Sequence, residues 1–229
     1  MFELLRIFVA LIGSSIAGLY DLKTTNIPDS VAVAMILIGF SFHVYEGFIA
    51  NSFSGLIDAL LFGSILFVFS FLMYRTGQWG GGDGELLVGI TVLLPTSSLI
   101  QTLFPFSISF LINTFFVGSV YSVVFLVFYI LNDKELKKNF WRNFLITMRK
   151  GIYKRIPTQK LKVDDMLGED IPKLKLYKKV LKGLKIDEVR KIQKLKKYVI
   201  IKEGIRYGPV FFLTLIITLI FGDVILIFV

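Results

Sequence analysis

Apolar residues in this chain come in blocks of about twenty, the length of helix that crosses the hydrocarbon core of a bilayer. Polar residues are largely confined to the gaps between the blocks. Six blocks are read: Phe2–Tyr20, Ser30–Phe48, Ser54–Tyr74, Glu85–Phe104, Phe106–Leu131 and Gly208–Val229. The expected fold is an all-α polytopic membrane protein of six transmembrane helices, with a small α+β cytoplasmic insert before the last helix. Residues 1–131 carry helices one to five, 132–206 form the insert, and 207–229 carry helix six. No small-residue cleavage site follows the first block, so it reads as a retained span. Arg6 is expected to snorkel from its outer end. Pro28 opens the second block, with Asp29 or Ser30 as the cap, and Pro105 ends the fourth.

The basic residues orient these spans. The gaps after spans one and three hold Lys23 and Arg75, whereas those after spans two and four hold none. Residues 132–208 hold 23 of the 26 Lys and Arg but only 9 of the 17 Asp and Glu. Cytoplasmic loops are the ones enriched in Lys and Arg, which places the N-terminus outside and the insert in the cytoplasm. Such a basic insert suits anionic lipid headgroups. No recognition motif accompanies the charge, so a nucleic-acid partner is not expected. Within the insert, Lys160–Val163 and Lys173–Tyr177 alternate like half-exposed strands. Ile186–Lys197 spaces Val189, Ile192 and Leu195 as an amphipathic helix with Asp187 and Glu188 in its first turn. Tyr198–Ile201 reads as a short strand.

Several chemistries are excluded by residue count. The chain has no cysteine, so disulfides, thiolate metal sites and cysteine nucleophiles are ruled out. Its one histidine, His43, lies inside an apolar block, and a His-rich metal site is impossible. No cofactor and no metal are expected.

Acids at a membrane boundary are costly and mark function. Gly80-Gly81-Gly82-Asp83 reads as a flexible, open loop delivering one titratable group, since glycine admits conformations and close approaches closed to other residues. Peptide hydrolysis by carboxylates needs an ionised group to activate water and a protonated one to donate to the carbonyl oxygen; two close acids sharing a proton supply both. Asp21 is the best second acid, because two spans separate it from Asp83 and both emerge on one face. Asp58 and Asp223 fall on the wrong side, Asp29 reads as a helix cap, and Glu85 as a helix-start charge. An acid closing a span also serves simply as a water boundary. An ion-coupled carrier and a non-catalytic scaffold remain alternatives of other classes.

The residues around both acids carry a resemblance. Asp21-Leu22-Lys23 with Ile27-Pro28, Gly80-Gly81-Gly82-Asp83, and Tyr207-Gly208-Pro209 resemble three elements of the type IV prepilin peptidases, intramembrane aspartic proteases of the Gly-x-Gly-Asp kind. The basic insert before the last span, and the lack of a cysteine-bearing domain, look most like the archaeal preflagellin peptidases. The resemblance implies an endopeptidase that removes a short basic leader from preflagellin or prepilin-like precursors at the cytoplasmic membrane face. It implies Asp21 and Asp83 as the catalytic pair. Gly80, Gly81, Gly82 and Lys23 fall on the substrate and loop side of that site. The glycines are expected to let the loop swing, with substrate or loop closure joining the two acids.

Overall fold

The computed structural model describes residues 2–163, 165–177 and 183–228. Four helices are long and apolar enough to cross a membrane: α1 (Phe2–Thr24), α2 (Asp29–Ala50), α3 (Ser54–Arg75) and α5 (Phe106–Asn132). Two further apolar helices are shorter, α4 (Gly81–Leu93) and α9 (Gly208–Phe221). At 1.5 Å per residue each reaches about 20 Å, short of a bilayer core of about 30 Å.

The fourth apolar block therefore does not fold as the single helix expected over Glu85–Phe104. Pro95 stops it, because proline disfavours the α conformation in the preceding residue and brings no N–H of its own. Leu94 accordingly turns out of the helix at φ −131°, ψ 65°. The irregular stretch that follows is held by two acids. Glu3 accepts hydrogen bonds from the hydroxyls of Ser97 and Ser98 and the amide of Ser98. Asp223 accepts one from the amide of Leu103.

The sixth block is likewise interrupted. Helix α9 ends at Gly222, which takes φ +66°, and residues 224–228 form a short 3₁₀ turn. Asn113 of α5 locks this end: its amide donates to Thr218 Oγ1 and to the Gly222 carbonyl at 2.9 and 2.7 Å, and accepts from the Val224 amide at 3.0 Å. Asn113 is buried. Asn113→Ala would strand these buried partners and is expected to cost about 1–3 kcal/mol, read as a lowered unfolding midpoint in detergent.

The chain divides into two compact units, Met1–Tyr121 with Arg206–Val229, and Ser122–Ile205. In the first, α4 is the central element, and every residue from Leu86 to Leu94 is buried. A helix apolar all round belongs in such a position. Small residues let its neighbours close on it. A Cβ on Gly39 of α2 would lie 3.1 Å from the Leu93 nitrogen, and one on Gly84 of α4 would lie 2.9 Å from Ser70 Cβ of α3.

The expected snorkelling of Arg6 does not occur. Arg6 is buried, pairs with Glu46 and donates to His43 Nδ1 at 3.1 Å. His43 Nε2 must then carry the ring proton, which it donates to the Val92 carbonyl at 3.0 Å. A partner carboxylate within reach removes the reason for the guanidinium to extend to water, and the histidine is fully engaged in holding α1, α2 and α4 together. The expected side-chain cap on α2 is absent as well: Pro28 occupies the N-cap position and Asp29 is the first helical residue.

The second unit contains a three-stranded antiparallel sheet in the order β1–β3–β2, from β1 (Ile152–Pro157), β2 (Met166–Leu167) and β3 (Tyr198–Glu203). Ile152 faces Glu203 and Pro157 faces Tyr198 across the β1–β3 pair. Helix α8 (Ile186–Leu195) buries Val189 and Ile192 against Leu161, Leu167 and Val199. The Glu188 carboxylate accepts the Lys185 amide at 2.8 Å and closes the first turn of α8. The expected strands at Lys160–Val163 and Lys173–Tyr177 are not strands; 3₁₀ turns at Thr158–Lys160 and Pro172–Leu174 occupy parts of them. Two helices, α6 (Lys134–Lys138) and α7 (Phe140–Lys150), precede the sheet.

Candidate active site

Helix α1 runs past its apolar block to Thr24, so Asp21 sits in the last helical turn, where the Thr25 amide closes back on the Asp21 carbonyl at 2.9 Å. Asp21 is buried. One oxygen of its carboxylate accepts the amide of Gly208 at 2.7 Å. Gly208 is the first residue of α9, and helix N-termini leave amides without intrahelical partners and carry a partial positive charge. Asp21 thus fills from a distant helix the role a capping side chain fills locally. The joint is tight. A Cβ on Gly208 would lie 2.8 Å from Asp21 Cβ, and one on Gly18 would lie 3.3 Å from Pro209 Cα. Arg206 donates to the Leu22 carbonyl at 2.6 Å, and its charge reaches Asp21.

Asp83 lies in the first turn of α4, half-buried, and accepts the Gly80 amide at 3.0 Å. The charge of Asp21 reaches Asp83, and that of Asp83 reaches Tyr207. Among the described residues no hydrogen bond joins the two carboxyls. The C-terminal turn of α1 and the N-terminal ends of α4 and α9 therefore gather both acids in one place.

The glycines before Asp83 are not the open loop expected of them. Gly80 is the N-cap at φ −70°, ψ 159°, and Gly81 and Gly82 are already helical. None of the three has positive φ, so backbone freedom is not what the position requires. Close approach is: a Cβ on Gly82 would lie 2.8 Å from Ile27 Cβ, whereas one on Gly81 would meet only Tyr74 at 3.9 Å. Gly82→Ala is expected to destabilise the protein by about 1–3 kcal/mol through overpacking. Gly81→Ala, exposed in a helical turn, should change stability by no more than about 1 kcal/mol and in the stabilising direction. Thermal unfolding of the two variants side by side checks the contrast.

Lys23 is exposed on the last turn of α1. Among the other acids, the Asp58 carboxylate accepts from Thr96 at 3.4 Å and Asp223 holds the stretch after Pro95, so both have structural partners. Asp29 is exposed at the start of α2. Among the described residues no group of three or more His, Asp or Glu could hold a metal.

An aromatic wall beside Asp83 escapes motif reading. Trp79 is buried and stacks on Phe115 with ring centroids 5.8 Å apart, and it meets Tyr207 at 6.1 Å and Phe211 at 5.7 Å. It couples the turn before α4 to the start of α9. Tyr207 reaches into α5, donating to the Thr114 carbonyl at 3.3 Å over the bare backbone of Gly118. The only sequence signals were a tryptophan adjoining the glycines and a tyrosine adjoining Gly208-Pro209.

The family model described as the type IV leader peptidase family matches residues 8–127, more than half of the chain. This chain belongs to the type IV leader peptidase family. Its relatives include the preflagellin peptidase of Methanocaldococcus jannaschii, 35% identical over 92 residues, which is 40% of this chain and 39% of that one. The preflagellin peptidase of Methanococcus maripaludis is 28% identical over 138 residues, covering 56% of this chain and 58% of its own length. That of Methanococcus voltae is 31% identical over 88 residues, covering 38% and 37%. In each case the chain spans less than two thirds of the relative's length. The family match includes Asp21 and Asp83 with α2 and α3 between them, and stops short of α9, which supplies the amide to Asp21. As a type IV leader peptidase family member with four helices of spanning length, the protein is a multi-pass membrane protein.

Proposed function

We propose that the protein is an intramembrane aspartic endopeptidase that removes the short basic leader from preflagellin or type IV prepilin-like precursors. The observation that carries this reading is the pair of Asp21 and Asp83 at the ends of α1 and α4, each oriented by one backbone amide, with the charge of Asp21 reaching Asp83. The names of the relatives support the substrate class.

In this reading one carboxylate takes a proton from water as the water oxygen bonds to the scissile carbonyl carbon. The other carboxyl gives its proton to the carbonyl oxygen. The tetrahedral intermediate then collapses, the C–N bond breaks, and the new amine takes up a proton. Two like charges held close in a poorly solvated place do not both ionise, which keeps one proton on the pair, and the pair titrates as a unit. Exposed Lys23 and the glycine-lined start of α4 lie on the side from which an extended substrate would enter.

The distribution of Lys and Arg supports an outside N-terminus, a cytoplasmic site and a basic cytoplasmic insert facing anionic headgroups. Helices α4 and α9, extended by the stretches that follow them, would complete six crossings. Co-expression with a tagged preflagellin is the direct test. The precursor shortens by its leader if the reading is right, and remains full length if the protein is a carrier or a scaffold.

A further inference from the structure

Helix α7 of the second unit presents a surface that does not suit water. On an α-helical wheel Phe140, Phe144, Met148, Trp141 and Leu145 fall on one continuous arc, and the opposite arc carries Arg142, Asn143 and Thr147 with one apolar residue, Ile146. The apolar arc is not folded inward. Trp141 is 75% exposed, Leu145 65% and Met148 64%, while Phe140 and Phe144 stack on one another at 6.0 Å with Trp141 against both. Exposed apolar patches of this kind mark interaction sites.

What covers the patch is indicated by its setting. Helix α7 begins eight residues after α5, a helix of spanning length, ends at Asn132, so its start is tethered at the membrane surface. Asn143 donates to the Leu136 carbonyl at 2.7 Å and fixes α7 to α6. The α6–α7 sequence carries Lys134, Lys137, Lys138, Arg142, Arg149 and Lys150 against a single acid, Glu135. A strong apolar face with tryptophan, a basic complement and a position next to a membrane span describe a helix that lies in the plane of the interface.

We infer that α7 is an in-plane membrane helix, its Trp141–Leu145–Met148 face inserted among the acyl chains and its basic residues among anionic headgroups. This narrows the lipid contact proposed for the whole basic insert to one helix, and adds insertion to charge attraction. It rests on the protein's being a membrane protein and is independent of leader cleavage.

The test uses the full chain in nanodiscs of phosphatidylcholine and phosphatidylglycerol, with bromine placed high on the acyl chains of one lipid. The protein has two tryptophans, so the difference between the unaltered protein and Trp141→Phe isolates the emission of Trp141. Insertion predicts emission quenched roughly twofold or more by the brominated lipid and shielded from aqueous iodide, as for a side chain seated at the headgroup–acyl boundary. Leu145→Glu with Met148→Glu should reverse both readouts. Iodide quenching without bromine quenching would show a free or merely charge-held helix and overturn the inference. Protection from both quenchers would show a protein surface covering the patch and would overturn it equally.

Discussion

Asp21→Asn and Asp83→Asn each lower leader removal from a co-expressed precursor by about 10²- to 10⁴-fold, the range supplied by a positioned acid or base. Asparagine keeps the shape of the side chain and an oxygen that can still accept the Gly208 or Gly80 amide, so these variants separate chemistry from folding. Their unfolding midpoints should stay close to that of the unaltered protein while cleavage is lost. Asp29→Asn, at an exposed position with no side-chain cap to lose, is the matched control and should cleave normally. Full-rate processing by either dyad variant would remove Asp21 and Asp83 as the catalytic pair.

Gly208→Ala is expected to cost about 10²-fold in cleavage, comparable to the effect of misplacing a reacting group by about 1 Å. The added methyl would sit 2.8 Å from Asp21 Cβ and 3.0 Å from its Oδ2. Neither helix can yield freely, because Gly18 already meets the Pro209 backbone on the adjoining face. The carboxylate must therefore turn or α9 must lift, and in either case the 2.7 Å hydrogen bond lengthens. Gly204→Ala is the control: a Cβ there would meet nothing within 4 Å, and this variant should cleave as the unaltered protein does. Equal cleavage by the two variants would show that the amide of Gly208 does not set the position of Asp21.

The sequence carried the parts of this architecture that depend on local pattern. Blocks of about twenty apolar residues marked α1, α2, α3 and α5 because a helix that must face lipid has little other option. The sidedness read from Lys23 and Arg75 pairs Asp21 with Asp83. Hydropathy passes over proline, however, and so the break at Pro95 was read as continuous helix. Alternation in Lys160–Val163 resembled a strand, but strands need partners, and pairing is decided by distant residues. Strand β3 found its partners in Ile152–Pro157 and Met166–Leu167. Arg6 was read by its own chemistry and not by Glu46, forty residues away. Three successive glycines suggest motion, because composition cannot distinguish a residue that needs freedom from one that needs room; Ile27 against Gly82 gives that one glycine a need for room. Helix α7 is hard to read from the sequence because its apolar residues are spread at helical spacing inside a strongly basic stretch.

The hydrogen bond between Gly208 and Asp21 closes a loop of 187 residues. Asp21 leaves the ribosome well before its clamp, which is made 187 residues later. A nascent chain holding α1 to α5 would carry both acids with one of them unanchored, in a membrane where precursors are also being inserted. In the proposed reading, assembly of the site waits on α9, which makes synthesis of that helix a built-in checkpoint on proteolysis. The same dependence offers a way to control the enzyme by hand: two separately expressed pieces, divided in the insert, would be inert alone and competent only once their helices meet.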